Sequence, residues 1–240
     1  MPGLFISEVR KITTTSTFYW LLAGGVAFSL LAVSSLSGAD DAAMTQPITE
    51  QLFLFLGTFV KLGFLILGIR IVTDEFRFGT ATPTFLFTPA RRKVLLAKVG
   101  AAAMCGVFMA VVTQVVLFGS AAGFFAIKGE VLHIGSAGTH AFFGGIVAGT
   151  FWTVIGLGVG AVIRNQIIAI VGVVVWFMGF EDIIGSRLGD ADWFLPGRAG
   201  LSLALAPDGR ALWNGLTIVL VYAALTLALG AIAVHRKDVA

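Results

Sequence analysis

Long apolar runs broken by short charged segments set the pattern of this chain. Six runs are long enough for a bilayer, whose hydrocarbon core takes about 20 helical residues. They lie at about Thr17–Leu36, Leu52–Val72, Val99–Ile127, Thr139–Ile163, Ile167–Ile184 and Ala211–Val234. The third is longer than the hydrocarbon requires, so it tilts or projects into the interface. Residues 1–16 carry Glu8, Arg10 and Lys11 among Leu4, Ile6, Val9 and Ile12, a pattern that fits a helix on the inner membrane surface. The first run has Arg10 and Lys11 before it and Ser37-Gly38-Ala39 after it, as a cleaved secretion signal does. Its length fits a retained span instead, and Phe18-Tyr19-Trp20 suit the water-lipid boundary. Between the fifth and sixth runs, residues 185–210 are too long for a turn. Leu201–Ala206 within them is too short to cross, so a re-entrant or surface-lying element is expected.

Composition sharpens this picture. Of 240 residues, 58% are apolar and 12% charged, and the mean hydropathy is +0.96, which excludes a soluble domain. The net charge of +3 does not describe a nucleic-acid face, because the basic residues sit at the ends of apolar runs. Eleven Lys and Arg, among them Arg10, Arg77, Arg91, Arg164 and Arg236, fall on one side of the six-span arrangement; only Lys128, Arg187, Arg198 and Arg210 fall on the other. The positive-inside rule then puts both ends of the chain in the cytoplasm. The single Cys105 excludes an intrachain disulfide or a cysteine metal cluster, and His133, His140 and His235 have no metal-ligand spacing. No metal site is expected.

Residues 73–98 form a charged loop between the second and third runs, with Glu75, Arg77, Gly79, Thr80, Pro89, Arg91, Arg92, Lys93 and Lys98. Gly79 frees the backbone, Pro83 and Pro89 interrupt any long helix, and a short amphipathic piece with Phe76, Phe78, Phe85 and Phe87 inward fits between. Read alone, these residues make either a basic loop that fixes topology or a surface for lipid phosphate or an acidic partner.

The order Glu75-x-Arg77-x-Gly79-Thr80, Leu86-x-x-Pro89-x-Arg91, Leu95-Leu96-Ala97-Lys98 resembles the segment between the second and third spans of ABC-2 type transporter permeases, the membrane-spanning subunits of ATP-binding cassette exporters. The resemblance implies an all-α membrane protein, a type V exporter-like bundle of six transmembrane helices. It places a coupling helix between helices 2 and 3 and a re-entrant element before helix 6. It implies that Glu75, Arg77, Gly79, Thr80, Phe85, Pro89, Arg91 and Arg92 couple the chain to an ATP-binding subunit. Two such subunits, binding ATP and magnesium, and a second permease, identical or related, are the implied partners. The chain itself has no Gly-x-x-x-x-Gly-Lys-Ser/Thr loop, so it carries no nucleotide cofactor and is no enzyme by itself. The expected activity is outward movement of a lipophilic cargo (drug, lipid or peptide) across a prokaryotic plasma membrane, as in multidrug export.

Polar groups inside the runs add candidates. Lys61 lies mid-run, where a charge costs roughly 2.5 to 3.5 kcal/mol on insertion scales, so it needs burial in protein or access to water. Gly57, Phe64 and Gly68 share its helix face, which fits a substrate pathway and equally a buried structural ion pair. Glu181 and Asp182 close the fifth run, as an outer gate or as a solvated helix end. Gly145 with Gly149, and Gly156 with Gly160, stand four apart and predict close helix contact. The alternative function is a secondary transporter or a non-transporting scaffold with Lys61 and Glu181 as ion sites, although the halves show no clear inverted repeat.

Overall fold

The computed structural model describes residues 2–34, 47–80, 91–129, 136–205 and 209–236; side chains at 2, 47–59, 91–92, 136–137, 190, 209–210 and 234–236 lie outside that description. Among the described residues every regular element is helical. In chain order they are α1 (Pro2–Thr13), α2 (Ser16–Ser34), α3 (Pro47–Arg77), α4 (Arg91–Ile127), α5 (Ser136–Ile163) and α6 (Gln166–Val175). A π-turn (Trp176–Phe180) leads into α7 (Glu181–Leu188), and a 3-10 turn (Gly189–Phe194) into α8 (Pro196–Leu205) and α9 (Gly209–Arg236).

Five stretches of the described residues are long and apolar enough to cross a membrane: Ser16–Ser34, Lys93–Ile127, Gly138–Ile163, Gln166–Leu188 and Ala211–Ala233. They match five of the six predicted runs within a few residues. The remaining run lies in α3, whose described part carries Lys61, Arg70, Asp74, Glu75 and Arg77. At 1.5 Å per residue, α3 and α4 reach about 46 and 55 Å, beyond the ~30 Å hydrocarbon core, so both carry their charged ends past it.

The central element is α5, packed against α3, α4, α8 and α9. In its span 61% of positions are buried, against 17% in the α6–α7 and α9 spans, which face outward. The outward side chains are apolar: Trp20, Ile167, Val171, Val175, Leu225 and Leu229 are exposed, as a lipid solvent requires and water does not tolerate in such numbers. Leu65 and Ile69 of α3, Leu157 of α5 and Val219 of α9 are fully buried at the centre.

Glycine sets the α3–α5 distance. A Cβ on Gly68 would strike the carbonyl oxygen of Thr153, and one on Gly156 the carbonyl of Leu65; on Gly160 it would come within 2.7 Å of the Ile69 oxygen. Gly156 and Gly160 therefore serve close backbone approach, as their spacing predicts, while Gly145 and Gly149 make room for the side chains of Gln114 and Phe64.

Two boundaries differ from the sequence reading. The charged loop is shorter than 73–98, because α3 runs to Arg77 and α4 starts at Arg91, leaving Thr73, Glu75 and Lys98 inside helices. The fifth run does not end at Glu181: the helix continues to Leu188, so the acidic pair lies within it. The start of the chain is helical, with Ile6 exposed and Glu8 buried on the face toward α3 and α4. Most of the predicted outer loop after the first run, and the predicted amphipathic piece between Pro83 and Pro89, lie outside the described residues.

Gly68→Ala is expected to separate α3 from α5 and lower stability by about 1–3 kcal/mol or more, the usual result of overpacking. Gly24→Ala, whose Cβ meets nothing within 4 Å, leaves stability unchanged. Unfolding of both variants in mixed micelles measures the difference.

Candidate functional site

Two groups of charged residues stand apart, one at an end of the bundle and one deeper within it, around Lys61. At the first, α1 docks across the end of α3 and the start of α4 through four charges. Lys98 Nζ donates to Glu8 Oε2 and to Glu75 Oε1, both at 2.6 Å; Lys11 Nζ donates to Glu8 Oε1 at 2.7 Å and to Glu75 Oε1 at 3.0 Å. Glu8 is 1% exposed, Lys98 4% and Glu75 8%. Two carboxylates and two ammonium groups sum to zero, which is how charge survives burial. Burial pushes Glu8 up, but Lys98 and Lys11 together outweigh it and hold the carboxyl below its ordinary range. Burial likewise pulls Lys11 down, and its bonds to Glu8 and Glu75 more than reverse that.

The described part of the loop leaves from this end. Helix α3 closes in a glycine turn: Thr80 N donates to the Glu75 carbonyl at 3.0 Å, Gly79 N donates to that of Phe76 at 3.4 Å, and Gly79 has φ +68°. Gly79 thus has the backbone role its position predicts. Arg77, exposed, donates to Gln166 Oε1 at 3.1 Å, tying α3 to the start of α6. The α5–α6 turn consists of Arg164, with φ 57°, and Asn165, whose Oδ1 accepts from Ile168 N at 3.1 Å. Arg164 also donates to the Ala233 carbonyl of α9 and lies over the Phe76 ring. The first helix, both stems of the loop, the α5–α6 turn and the end of α9 therefore share one end of the bundle. Of the predicted coupling residues, Phe85 and Pro89 and the side chains of Arg91 and Arg92 lie outside the described residues, and Thr80 is exposed.

Toward the other end is a cavity of about 200 Å³, lined from α2, α3, α4, α5, the π-turn, α7 and α8. Lys61 and Phe64 enter from α3, Thr113 and Gln114 from α4, and Gly149 and Trp152 from α5. The π-turn and α7 add Phe177, Glu181 and Asp182, and α8 adds Arg198. Lys61 Nζ lies 4.5 Å from the centre of the Phe177 ring, which meets Trp152 edge-on at 5.2 Å. The Glu181 carboxylate caps α8: Oε1 accepts from Gly197 N at 2.6 Å and Arg198 N at 3.2 Å. A Cβ on Gly197 would lie 2.5 Å from both carboxylate oxygens, so only glycine admits the cap. Oε2 is buried without a hydrogen-bond partner. Gln114 Nε2 donates to the carbonyls of Ala141 and Phe142, the interhelical role its polarity suggests.

The structure thus brings Lys61, Phe64, Glu181 and Asp182 to one cavity, where the sequence divides them between a pathway and an outer gate. Gly68 lies a turn beyond, in the α3–α5 contact, and the surroundings of Gly57 are outside the described residues. Glu181, 4% exposed, is not a solvated helix end; Asp182, beside it on the cavity wall, is exposed. Sequence reasoning misses Glu8, Lys11, Gln114, Trp152 and Phe177 as members of these sites. A signal exists for Glu8, which keeps helical register with the packed Phe5 and Ile12. No family model matches the chain, and no curated protein matches it.

Lys98→Met leaves Glu8 and Glu75 buried with only the half-exposed Lys11, and is expected to cost about 3–5 kcal/mol in mixed-micelle unfolding. The sign of the pH dependence follows. The Glu8 contribution is full above its ordinary value of 4.5 and is lost as pH falls through its lower folded value. That of Lys11 is full below its ordinary 10.5 and is lost as pH rises through its higher folded value, with a smaller share because the side chain is 48% exposed. Stability plotted against pH has its plateau between these limits, and Lys98→Met changes the acid limb more than the alkaline one.

Proposed function

We propose that the chain is the membrane-spanning permease subunit of an ATP-driven exporter of the ABC-2 type. The observation that carries this reading is the pair of 2.6 Å bonds from Lys98. They join the first charged residue and the last of the pattern on which the resemblance rests, Glu75 and Lys98, and clamp both to α1. The two stems of the loop are thereby one mechanical unit. A displacement of residues 78–90 by a partner is passed to α3 and α4 together, where two independent stems would flex. Glu75 acts in this reading by holding the stems, since its carboxylate is occupied within the chain.

On this proposal α3 is the second of six spans, both ends of the chain and the loop are cytoplasmic, and residues 185–210, which contain α8, are the re-entrant element on the outer side of a prokaryotic plasma membrane. Two ATP-binding subunits supply ATP and magnesium chemistry. A second permease supplies the other wall of the route. Cargo of lipophilic character leaves by alternating access as the ATP-binding subunits close.

One observation favours the secondary-transporter reading instead: Lys61 and Glu181 line the same cavity. The two readings differ in energy source. Purification of the tagged chain from its native membrane is expected to bring down an ATP-binding subunit, and deletion of Phe85–Arg92 to release it without loss of the folded permease. Transport that survives ATP depletion and stops with a proton uncoupler favours the secondary carrier.

A further inference from the structure

The cavity holds hydrogen-bonding capacity that the chain itself leaves unused. Lys61 is an ammonium with three donors, and its one described contact is the face of Phe177. Glu181 spends Oε1 on the backbone of α8 and keeps Oε2 buried and unpartnered. Gln114 uses its amide nitrogen on two carbonyls, and among the described residues its Oε1 makes no hydrogen bond. No ion pair joins Lys61 to Glu181, although each carboxylate of the acidic pair acts on Lys61 electrostatically. A cation and an anion thus face one space without touching. Of these groups Glu181 Oε2 is buried without a partner, which is costly and calls for one. The rings of Phe64, Trp152 and Phe177, with Val60 and Leu117, make the apolar wall, and Asp182 and Arg198, 4.0 Å apart, add a second pair of opposite charges that lie against each other. A dry apolar cavity of about 150 Å³ accepts benzene, so the ~200 Å³ here takes a ring with a short polar head.

The local backbone is built around this arrangement. The Glu181 amide donates to the Trp176 carbonyl in an i to i−5 bond, and this π-turn inserts an extra residue just before the carboxylate. Such insertions inside α-helices occur mostly at functional positions. A Cβ on Gly200 would meet the Trp152 ring at 2.5 Å, so the small residues of α8 let both the carboxylate and the indole reach the cavity wall.

We propose that this cavity, inside a single chain, binds a small zwitterion with an aromatic or apolar body, of the size and charge pattern of an aromatic amino acid. The ligand carboxylate takes the donors of Lys61, its ammonium takes Gln114 Oε1 and the Glu181 carboxylate, whose buried Oε2 turns toward it, and its ring lies among Phe64, Trp152 and Phe177. This satisfies the unused donors and acceptors at once. A plain hydrocarbon satisfies none of them, and a simple anion or cation leaves one charge facing another of its own kind or nothing. The site is separate from the route proposed between two permeases, and it stands whether or not an ATP-binding subunit is the energy source.

Three probes with the same ring test it on the purified chain in nanodiscs: phenylalanine, 3-phenylpropionate without the ammonium, and 2-phenylethylamine without the carboxylate. Saturable binding of phenylalanine is expected, with each of the others about ten- to a hundredfold weaker, as the loss of one charge-assisted bond dictates. Lys61→Met should abolish the advantage of phenylalanine over phenylethylamine. Glu181→Gln, which keeps an oxygen for the α8 amides, should abolish its advantage over phenylpropionate. Equal binding of all three probes, or binding of none, overturns the proposal, and the wild-type comparison decides this even if a variant fails to fold. Wild-type preferences retained in both folded variants overturn it equally.

Discussion

Four charges inside an apolar molecule govern how this chain is put together. An ammonium or carboxylate taken from water loses several kcal/mol of solvation even after relaxation, and only close partners return it. Lys98, at 2.6 Å from two carboxylates, and Lys11, bridging the same two, supply that return. The requirement is geometric as well as electrical. Glu8, Glu75 and Lys98 belong to three helices, and none can leave without stranding the others, so α1, α3 and α4 are fixed relative to one another at one end of the bundle. Hydrophobic contact alone does not give this, because lipid tails are as apolar as leucine and offer no preference between protein and solvent.

From that fixed end the helices run together through glycine contacts and part around polar groups. Gly156 and Gly160 bring α5 onto the α3 backbone. Further along, Lys61 replaces an apolar residue on α3 and the π-turn reshapes the helix opposite, and there the cavity opens. The molecule therefore has a tightly locked end bearing the loop and a looser end bearing an incompletely satisfied polar cavity.

Much of this was legible in the sequence, for definable reasons. Hydrophobic length located five helices long and apolar enough to cross a membrane, within a few residues, because bilayer thickness constrains length directly. Four-residue glycine spacing revealed the contact face of α5, and mid-run depth marked Lys61 as buried or hydrated. What stayed hidden depended on partners far apart in the chain. Glu75 and Lys98 read as charges offered outward, because the carboxylate that buries Lys98 lies at Glu8, ninety positions away. Glu181 read as a helix end, because nothing local announces that it caps a helix beginning at Pro196. The pairing of Lys61 with Phe177 and Glu181 across one cavity required the fold itself.

The central claim is that the locked end, with α1 and the loop, faces one side of the membrane and the α7–α8 pair faces the other. Single cysteines at Ile6, Phe78 and Trp193, which are 61%, 66% and 53% exposed, test this with a membrane-impermeant maleimide on right-side-out and inside-out vesicles. The native Cys105, 2% exposed, gives little background. Positions 6 and 78 should react only from the cytoplasmic face and 193 only from the outer face. Reaction of 6 and 78 from opposite faces, or of 78 and 193 from the same face, contradicts the claim.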